Sequence, residues 1–527
     1  MPEYLRPGVY IEEIERGPRP IEGVPTSTAA FLGAAERGSI QPRLVTSYRE
    51  YERNFGGVFD PNAYLPYAVS GFFENGGKRL YVCRLVGPNA TAASAAAGTD
   101  FSVSAVGPGA WGKQVWVKVT DSTTKNADKT PIGFRLRAAY FAAGITPHDV
   151  FPDPPAKPQQ PLPLVTEDFD DLVTNESSPD FYGKRLNFVD LGKGPQNQGP
   201  NASALITLVR NAGAKPDSKP TIIGQLATNG DEDNNLDGNA YQGDPQGKRT
   251  DPQGLAALLL DPYRDIALVY APGVADRDRL TPIIDHCENS RFRFAVIDCP
   301  NAQSDPGNVD PRVNLQRDTQ YAAFYYPWIS ISDPSTGARK LVPPGGHVLG
   351  LYARTDAEVG VFKSPANDTL RGALDLEFAI TDGQQDVLNP KGANAIRNFP
   401  GRGIVVWGAR TMTANSLWKY ISVRRLFIFL ERSIYEGTQW VVFEPNDQRL
   451  WARVTDSIRL FLRTQWRAGA LFGAREQDAF FVTCDQTTMT QDDILNGRLI
   501  CEIGIAPVRP AEFVIFRIFQ NTAEAQQ

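Results

Sequence analysis

The sequence predicts a multidomain protein of mixed α/β and α+β class, and three observations predict it. With 527 residues the chain exceeds what one core holds, since single cores rarely grow past about 250 residues. Short apolar runs alternate with helical stretches between residues 221 and 333, the order that builds parallel sheets from strand–helix–strand units. Both ends carry strand-like segments with no neighbouring segment to pair with, which expects pairing at a distance or with another chain.

Taken in order, residues 1–20 read as an arm: Pro7-Gly8 leads into Val9, Tyr10, Ile11, Glu12, Glu13 and Ile14, and Gly17-Pro18-Arg19-Pro20 breaks the strand. Residues 21–95 begin an α/β core, with buried strands at 28–32 (TAAFL) and 79–86 (RLYVCRLV) around a helix near 66–75. An Ala-rich bridge at 89–98 marks a boundary. Residues 96–220 read as a β-rich surface insertion, because 114–120 and 133–140 alternate like half-exposed strands and seven prolines follow between Pro147 and Pro163. Residues 221–344 form a middle α/β domain: helices at 254–260 and 276–289, strands at 266–270 (IALVY) and 294–298 (FAVID), and an aromatic block at 321–331, closed by Pro343-Pro344-Gly345-Gly346. Residues 345–506 carry two amphipathic helices, about 414–435 and 447–468, then strands at 479–484 and 499–505.

Residues 507–527 form a second arm. Pro507 and Pro510 forbid helix and hold the backbone extended. The strand that follows carries Phe513, Ile515, Arg517 and Phe519 on one face and Val514, Phe516 and Ile518 on the other, so both faces expect burial. Such a strand at a chain end is an aggregation site unless its edges are paired.

Composition excludes several classes. The chain is 42% apolar and 22% charged, as in ordinary globular proteins, and its net charge of -6 argues against nucleic acid as a partner. The opening residues lack a basic and then apolar leader, and apolar runs such as 426–430 are too short to span a bilayer, so cytoplasmic assembly without membrane insertion is expected. Cys83, Cys287, Cys299, Cys484 and Cys501 follow no metal-binding spacing and read as reduced, mostly buried thiols.

The enzymatic signals are weak. Residues 107–114 (GPGAWGKQ) fit GxxxxGK, but Gln114 stands where a phosphate loop needs Ser or Thr, Pro108 removes an amide donor, and a strand pattern follows in place of a helix. Asp233, Asn235, Asp237, Gly238 and Asp244 match a calcium-loop spacing with Asp at the last position and no evident flanking helices, so a solvated turn is the better reading. His148, His286 and His347 are too scattered for a triad, and His286-Cys287 near Cys299 reads as structural rather than as a base and nucleophile. Metal and cofactor sites are therefore not expected.

The helix at 447–468 is more informative. At 100° per residue, Arg449, Arg453, Arg459, Arg463 and Arg467 fall within an arc of roughly 120°, opposite Leu450, Trp451, Val454, Ile458, Phe461, Leu462 and Trp466. Composition alone favours a solvated arginine face, partly neutralised by Asp456.

Many ordered stretches resemble one family, the contractile tail sheath proteins of phages and phage-tail-like injection systems. They include GHVLGLYARTD, GVFKSPAN, IRNFPGRGIVVWGART, WKYISVRRLFIFLERSI, GTQWVVFEPND, FFVTCD, TMTQDDILNGRLICEIGIAPV and PAEFVIFRI, with RPGVYIEE and PGAWGKQVWVKV nearer the start. Residues 121–220 carry no such likeness.

The resemblance implies an inner α/β core built from both chain ends, a middle α/β domain and a β-rich outer insertion, with terminal strands exchanged between neighbouring subunits. It implies stacked hexameric rings around an inner tube, contraction that drives the tube through a target envelope, baseplate and terminal cap proteins as further partners, and no catalytic residues or cofactor. On that reading Val9, Tyr10, Ile11, Ile14, Phe513, Val514, Ile515, Phe516 and Ile518 link subunits, Gly17, Pro18, Pro507 and Pro510 are hinges, and the five arginines face the tube. The rivals are a non-contracting tube or collar paralogue and, from another class, an α/β nucleotide-binding enzyme built on residues 221–333.

Overall fold

The computed structural model describes residues 20–147, 150–151, 161–192, 202–215, 217–243, 253–515 and 517. They divide into two compact units. The larger takes residues 25–359 and 363–424; the smaller takes the chain up to Val24, residues 360–362 and everything from Arg425 on.

The larger unit is organised by a nine-stranded sheet in the order Asp368–Thr369, Gly403–Val406, Ala393–Phe399, Ala322–Tyr326, Phe294–Asp298, Leu268–Tyr270, Ala29–Gly33, Leu80–Arg84 and Arg43–Val45. From Ala393–Phe399 to Leu80–Arg84 every pairing is parallel, and antiparallel strands close both sides. Central strands such as AAFLG, LYVCR and FAVID are buried at every position, as unbroken apolar runs covered on both faces should be. The helices Leu65–Glu74 and Arg277–Ser290 lie within about a residue of the sequence expectation. Asp276 caps the second by accepting from Arg279 N–H at 3.0 Å.

This sheet corrects the expected division of the chain. Residues 21–95 and 221–344 were expected in different domains, yet Ala29–Gly33 pairs directly with Leu268–Tyr270, and Ala393–Phe399 from the expected second core segment pairs with Ala322–Tyr326. Parallel neighbours need a crossover connection, and no upper length limits it. The crossover between Leu80–Arg84 and Leu268–Tyr270 holds the whole β-rich insertion.

The insertion has its own core. Two four-stranded sheets, one from Ser94–Ala96, Phe101–Ala105, Ile206–Arg210 and Phe188–Asp190 and one from Ile223–Gln225, Val115–Asp121, Phe134–Tyr140 and Val165–Leu172, enclose Phe101, Val103, Trp111, Phe134, Leu136, Tyr182 and Leu208.

In the smaller unit the helix Gln448–Arg467 and the two-stranded sheet of Phe480–Thr483 and Glu502–Ile505 share a core with Ile21, Val361, Leu426 and Leu430. Val24 N–H donates to Ser433 Oγ at 3.1 Å. The other long helix, Ile421–Gly437, starts seven residues later than the pattern suggested. Before it the chain folds back: Thr411 N–H donates to Lys419 C=O and Trp418 N–H to Asn415 C=O, while Thr413 Oγ1 donates to Asp318. Thr and Asn side chains that bond backbone or neighbouring carboxylates compete with the first helical turns. No helix among the described residues is long and apolar enough to cross a membrane.

Candidate functional site

At the carboxyl end of the strand Phe294–Asp298, where an α/β enzyme could hold a ligand, polar groups of the chain satisfy one another. In such sheets ligands bind beyond the carboxyl ends of the strands. There the Asp298 carboxylate accepts from Tyr270 Oη at 2.6 Å, from Gly273 N–H at 3.0 Å and from Gly345 N–H, at the start of the helix Gly345–Glu358, at 3.0 Å. Burial raises its pKa to about 6. All three donors belong to the protein, so this carboxyl ties two strands to a helix. Nothing in the sequence marked it, because its partners lie 28, 25 and 47 residues away.

The phosphate-loop look-alike is a packed turn. Trp111 is buried with its Nε1 donating to Pro108 C=O at 2.9 Å, Ala110 N–H donates to the Glu232 carboxylate at 2.9 Å, and a Cβ at Gly107 would sit 2.2 Å from Gly38 C=O. Of the calcium-like residues, Asp233 accepts from Asn89 N–H at 2.8 Å and Asp237 caps the helix Gly238–Gln242 through Ala240 N–H at 3.0 Å; Asp244 lies outside the described residues. His286 Nε2 meets the Arg293 guanidinium at 2.5 Å, and burial and that positive charge lower its pKa to about 3. A histidine held neutral this far down is a poor proton acceptor at neutral pH.

The smaller unit presents different chemistry. Its two-stranded sheet has no third strand among the described residues. Phe480, Val482 and Ile505 turn towards the helical core, while Phe481, on the opposite face, is 57% exposed and lies over Gly504 of the partner strand. Beyond Glu502–Ile505 the chain makes one more bridge, Pro507 to Leu471, and Val508 N–H donates to Ala470 C=O at 3.2 Å. Phe513, Val514 and Ile515 then stand 71%, 68% and 78% exposed, in no strand. The expected terminal strand is thus absent as a strand where it is described, and residues 513–515 pair with no strand among the described residues. Val9, Tyr10, Ile11, Ile14, Gly17, Pro18, Phe516 and Ile518 lie outside the described residues, and Pro510 is in no strand.

The arginine helix is amphipathic as its spacing predicts. Leu450, Trp451, Val454, Ile458, Phe461 and Leu462 are buried. Arg449, Arg453, Arg459 and Arg467 are exposed and Arg463 is half-buried. Three of the five are engaged within the chain: Arg453 lies 4.5 Å over the Trp440 ring and 3.5 Å from Glu444, and Arg459 and Arg463 clasp Glu476 at 2.7 and 2.6 Å. These two guanidinium groups hold the Glu476 carboxyl down at about 2. Arg449 and Arg467 make no ion pair among the described residues. Glu476 was missed in the sequence because a carboxylate 13 and 17 residues past its arginines has no helical spacing to reveal it. Phe443, fully exposed with φ +68° between Trp440 and the helix, was missed too; a bulky residue in the left-handed region is an outlier that sequence patterns do not flag.

Comparisons with known proteins bear on this geometry. A family model for the phage tail sheath protein central domain matches residues 247–412, and one for the phage tail sheath C-terminal domain matches residues 413–521. A protein of Pseudomonas aeruginosa (strain UCBPP-PA14) described as a prophage major tail sheath protein is 27% identical over 281 residues, 52% of this chain and 69% of that one. The tail sheath protein of Salmonella phage ViI is 26% identical over 251 residues, 43% of this chain and 39% of that one, so the matched stretch spans under half of the phage protein. In structure, the sheath of an extracellular contractile injection system (PVC) in its contracted state matches with a TM-score of 0.58 and 24% identity, covering 100% of both chains. The two family models meet end to end across both the strand–helix block and the open-edged C-terminal unit: the chain belongs to the contractile tail sheath family.

Proposed function

We propose that this protein is the structural subunit of a contractile sheath, with no catalytic residues, which assembles as stacked hexameric rings around an inner tube and contracts to drive that tube through a target envelope. The single observation that carries the reading is the two-stranded sheet with no further strand at either edge among the described residues, on the same chain as an exposed apolar segment, Phe513 to Ile515, that lies in no strand. Isolated two-stranded sheets are marginal, and an added strand supplies main-chain hydrogen bonds along an open edge. The terminal strand of a second copy, around Phe513 to Ile518, and the N-terminal strand around Val9 to Ile14 fit those edges. Gly17, Pro18, Pro507 and Pro510 would let a few linker dihedrals absorb the movement of contraction while the paired strands stay fixed. The arginine helix meets acidic groups of the tube, baseplate and cap proteins close the ends, and the parts assemble in the cytoplasm. Energy stored in the extended assembly drives contraction, and no cofactor takes part.

Electron microscopy of the purified full chain and of a chain lacking residues 511–527 tests this. Long hollow tubes are expected from the first, and a folded monomer with unchanged circular dichroism from the second. Normal tubes from the truncated chain would remove the linking role, and no helical tubes from the full chain would remove the sheath reading.

A further inference from the structure

Cys484 and Cys501 face each other across the C-terminal two-stranded sheet. The register pairs Phe480 with Ile505, Phe481 with Gly504, Val482 with Ile503 and Thr483 with Glu502, and one further step past the ladder's end would set Cys484 opposite Cys501. The kind of pair follows from the ladder. Ala506 N–H donates to Ala479 C=O at 2.8 Å, which sets a ladder hydrogen bond at 479/506, although the Ala506 carbonyl accepts from Phe472 N–H. Hydrogen-bonded and non-hydrogen-bonded pairs alternate in an antiparallel ladder, so 481/504 and 483/502 are bonded pairs and 484/501 is not. Non-hydrogen-bonded pairs bring their Cα atoms to about 4.5 Å, with side chains closest on the shared face. That is inside the range of about 4.4–6.8 Å that a disulfide spans.

Two further observations agree. Phe480, Val482 and Ile505, which the alternation puts on the same face, pack in one cluster with both cysteines. Each thiol is also among the groups that shift the other's ionisation. Both are free thiols; Cys484 is buried and Cys501 half-buried, so an oxidant reaches the pair from the Cys501 side.

We propose that Cys484 and Cys501 form a modification site, a cross-strand thiol pair that a low-molecular-weight disulfide such as oxidised glutathione converts into an intramolecular disulfide. The Cys501 thiolate attacks one sulfur of the reagent and expels one glutathione thiolate, leaving a mixed disulfide. The Cys484 thiolate then attacks the Cys501 sulfur and expels the second. The two protein thiols lose two electrons and two protons, and the reagent's S–S bond is reduced to two thiols. Burial pushes the Cys501 thiol up to about 12 and raises Cys484 as well, so exchange is slow at neutral pH and quickens in alkali, where more thiolate is present. The bond lies on the core-facing side of the sheet. It fixes the register of the two strands and leaves the outward face at Phe481 and both edges open, whether or not another chain pairs there.

The test uses the full chain, incubated with oxidised glutathione at pH 8.5, blocked with iodoacetamide in denaturant, and digested with trypsin without reduction. Cleavage after Arg498 separates the two cysteines, so the peptide holding Cys484 and the one beginning at Leu499 stay together only through a disulfide. The expected product is that joined pair, lighter than the two free-thiol peptides by two hydrogens, lost on reduction and absent from Cys484→Ser and Cys501→Ser. Because the wild-type map decides the question, poor folding of either variant does not obscure it. Recovery of both cysteines alkylated, or of glutathione retained on Cys501, overturns the proposal.

Discussion

The nine-stranded sheet of the larger unit and the two-stranded sheet of the smaller one solve the same problem in opposite ways. In the first, strands such as FAVID are covered on both faces and each parallel edge is closed by an antiparallel neighbour from the same chain. In the second, one face packs on helices, Phe481 stands outward and neither edge has a further strand among the described residues. Natural proteins blunt or cover open edges because an open edge recruits other chains. On the proposed reading, the open sheet is where a second copy would add a strand.

The contrast breaks most visibly through the two aromatic positions. Phe31 is wholly buried, with edge-on ring contacts to Phe72 at 5.4 Å and Tyr270 at 5.1 Å. Phe31→Ala should cost about 3–5 kcal/mol in a denaturant melt. Phe481→Ala should change the stability of the unassembled chain by under about 1 kcal/mol and yet prevent tubes from forming. Equal destabilisation by the two substitutions would erase the distinction between a finished sheet and an open one.

Next comes the arginine face. Reversing Arg459 or Arg463 would break the clasp on Glu476, so the informative variant is Arg449→Glu with Arg467→Glu, which leaves that clasp in place. Each change should alter stability by about half a kcal/mol or less, while loading of the extended sheath onto tubes, followed by co-sedimentation, should fall and become less sensitive to salt. Unaltered loading would return the helix to a solvated face.

Smaller effects sharpen the picture of the second unit. The folded-state pKa of Glu476, about 2, lies below its ordinary 4.5. The stabilisation is therefore fully present above about pH 4.5 and is lost as the pH falls towards 2. Melting temperatures across that window should fall less steeply for Glu476→Gln than for the parent chain. The smallest effect is expected at Phe443, whose side chain is fully exposed and whose φ is +68°. Phe443→Gly should leave monomer stability unchanged or raise it by up to about 1 kcal/mol by relieving the left-handed backbone. Any loss of assembly in that variant would then report a contact with another subunit.

Local pattern alone determined a good deal of this protein. Unbroken apolar runs marked Phe294–Asp298 to the residue and Ala29–Gly33 to within one, and the 3.6-residue period marked Gln448–Arg467 together with its buried and charged faces, because burial imposes its period directly on neighbouring residues. The stretches that resemble the tail sheath family were equally visible. Only the tertiary structure decided that residues 25–95 share a sheet with 268–406, that Asp298 ties Tyr270, Gly273 and Gly345 together, that Glu476 holds two of the five arginines, and that the strand before Cys484 pairs with the strand after Cys501. Each of these joins residues whose separation follows no helical or strand period. Parallel strands can be linked by a crossover of almost any length, and a buried charge takes whichever partner the packed chain brings within hydrogen-bonding distance, so neither leaves a signature in the order of the amino acids.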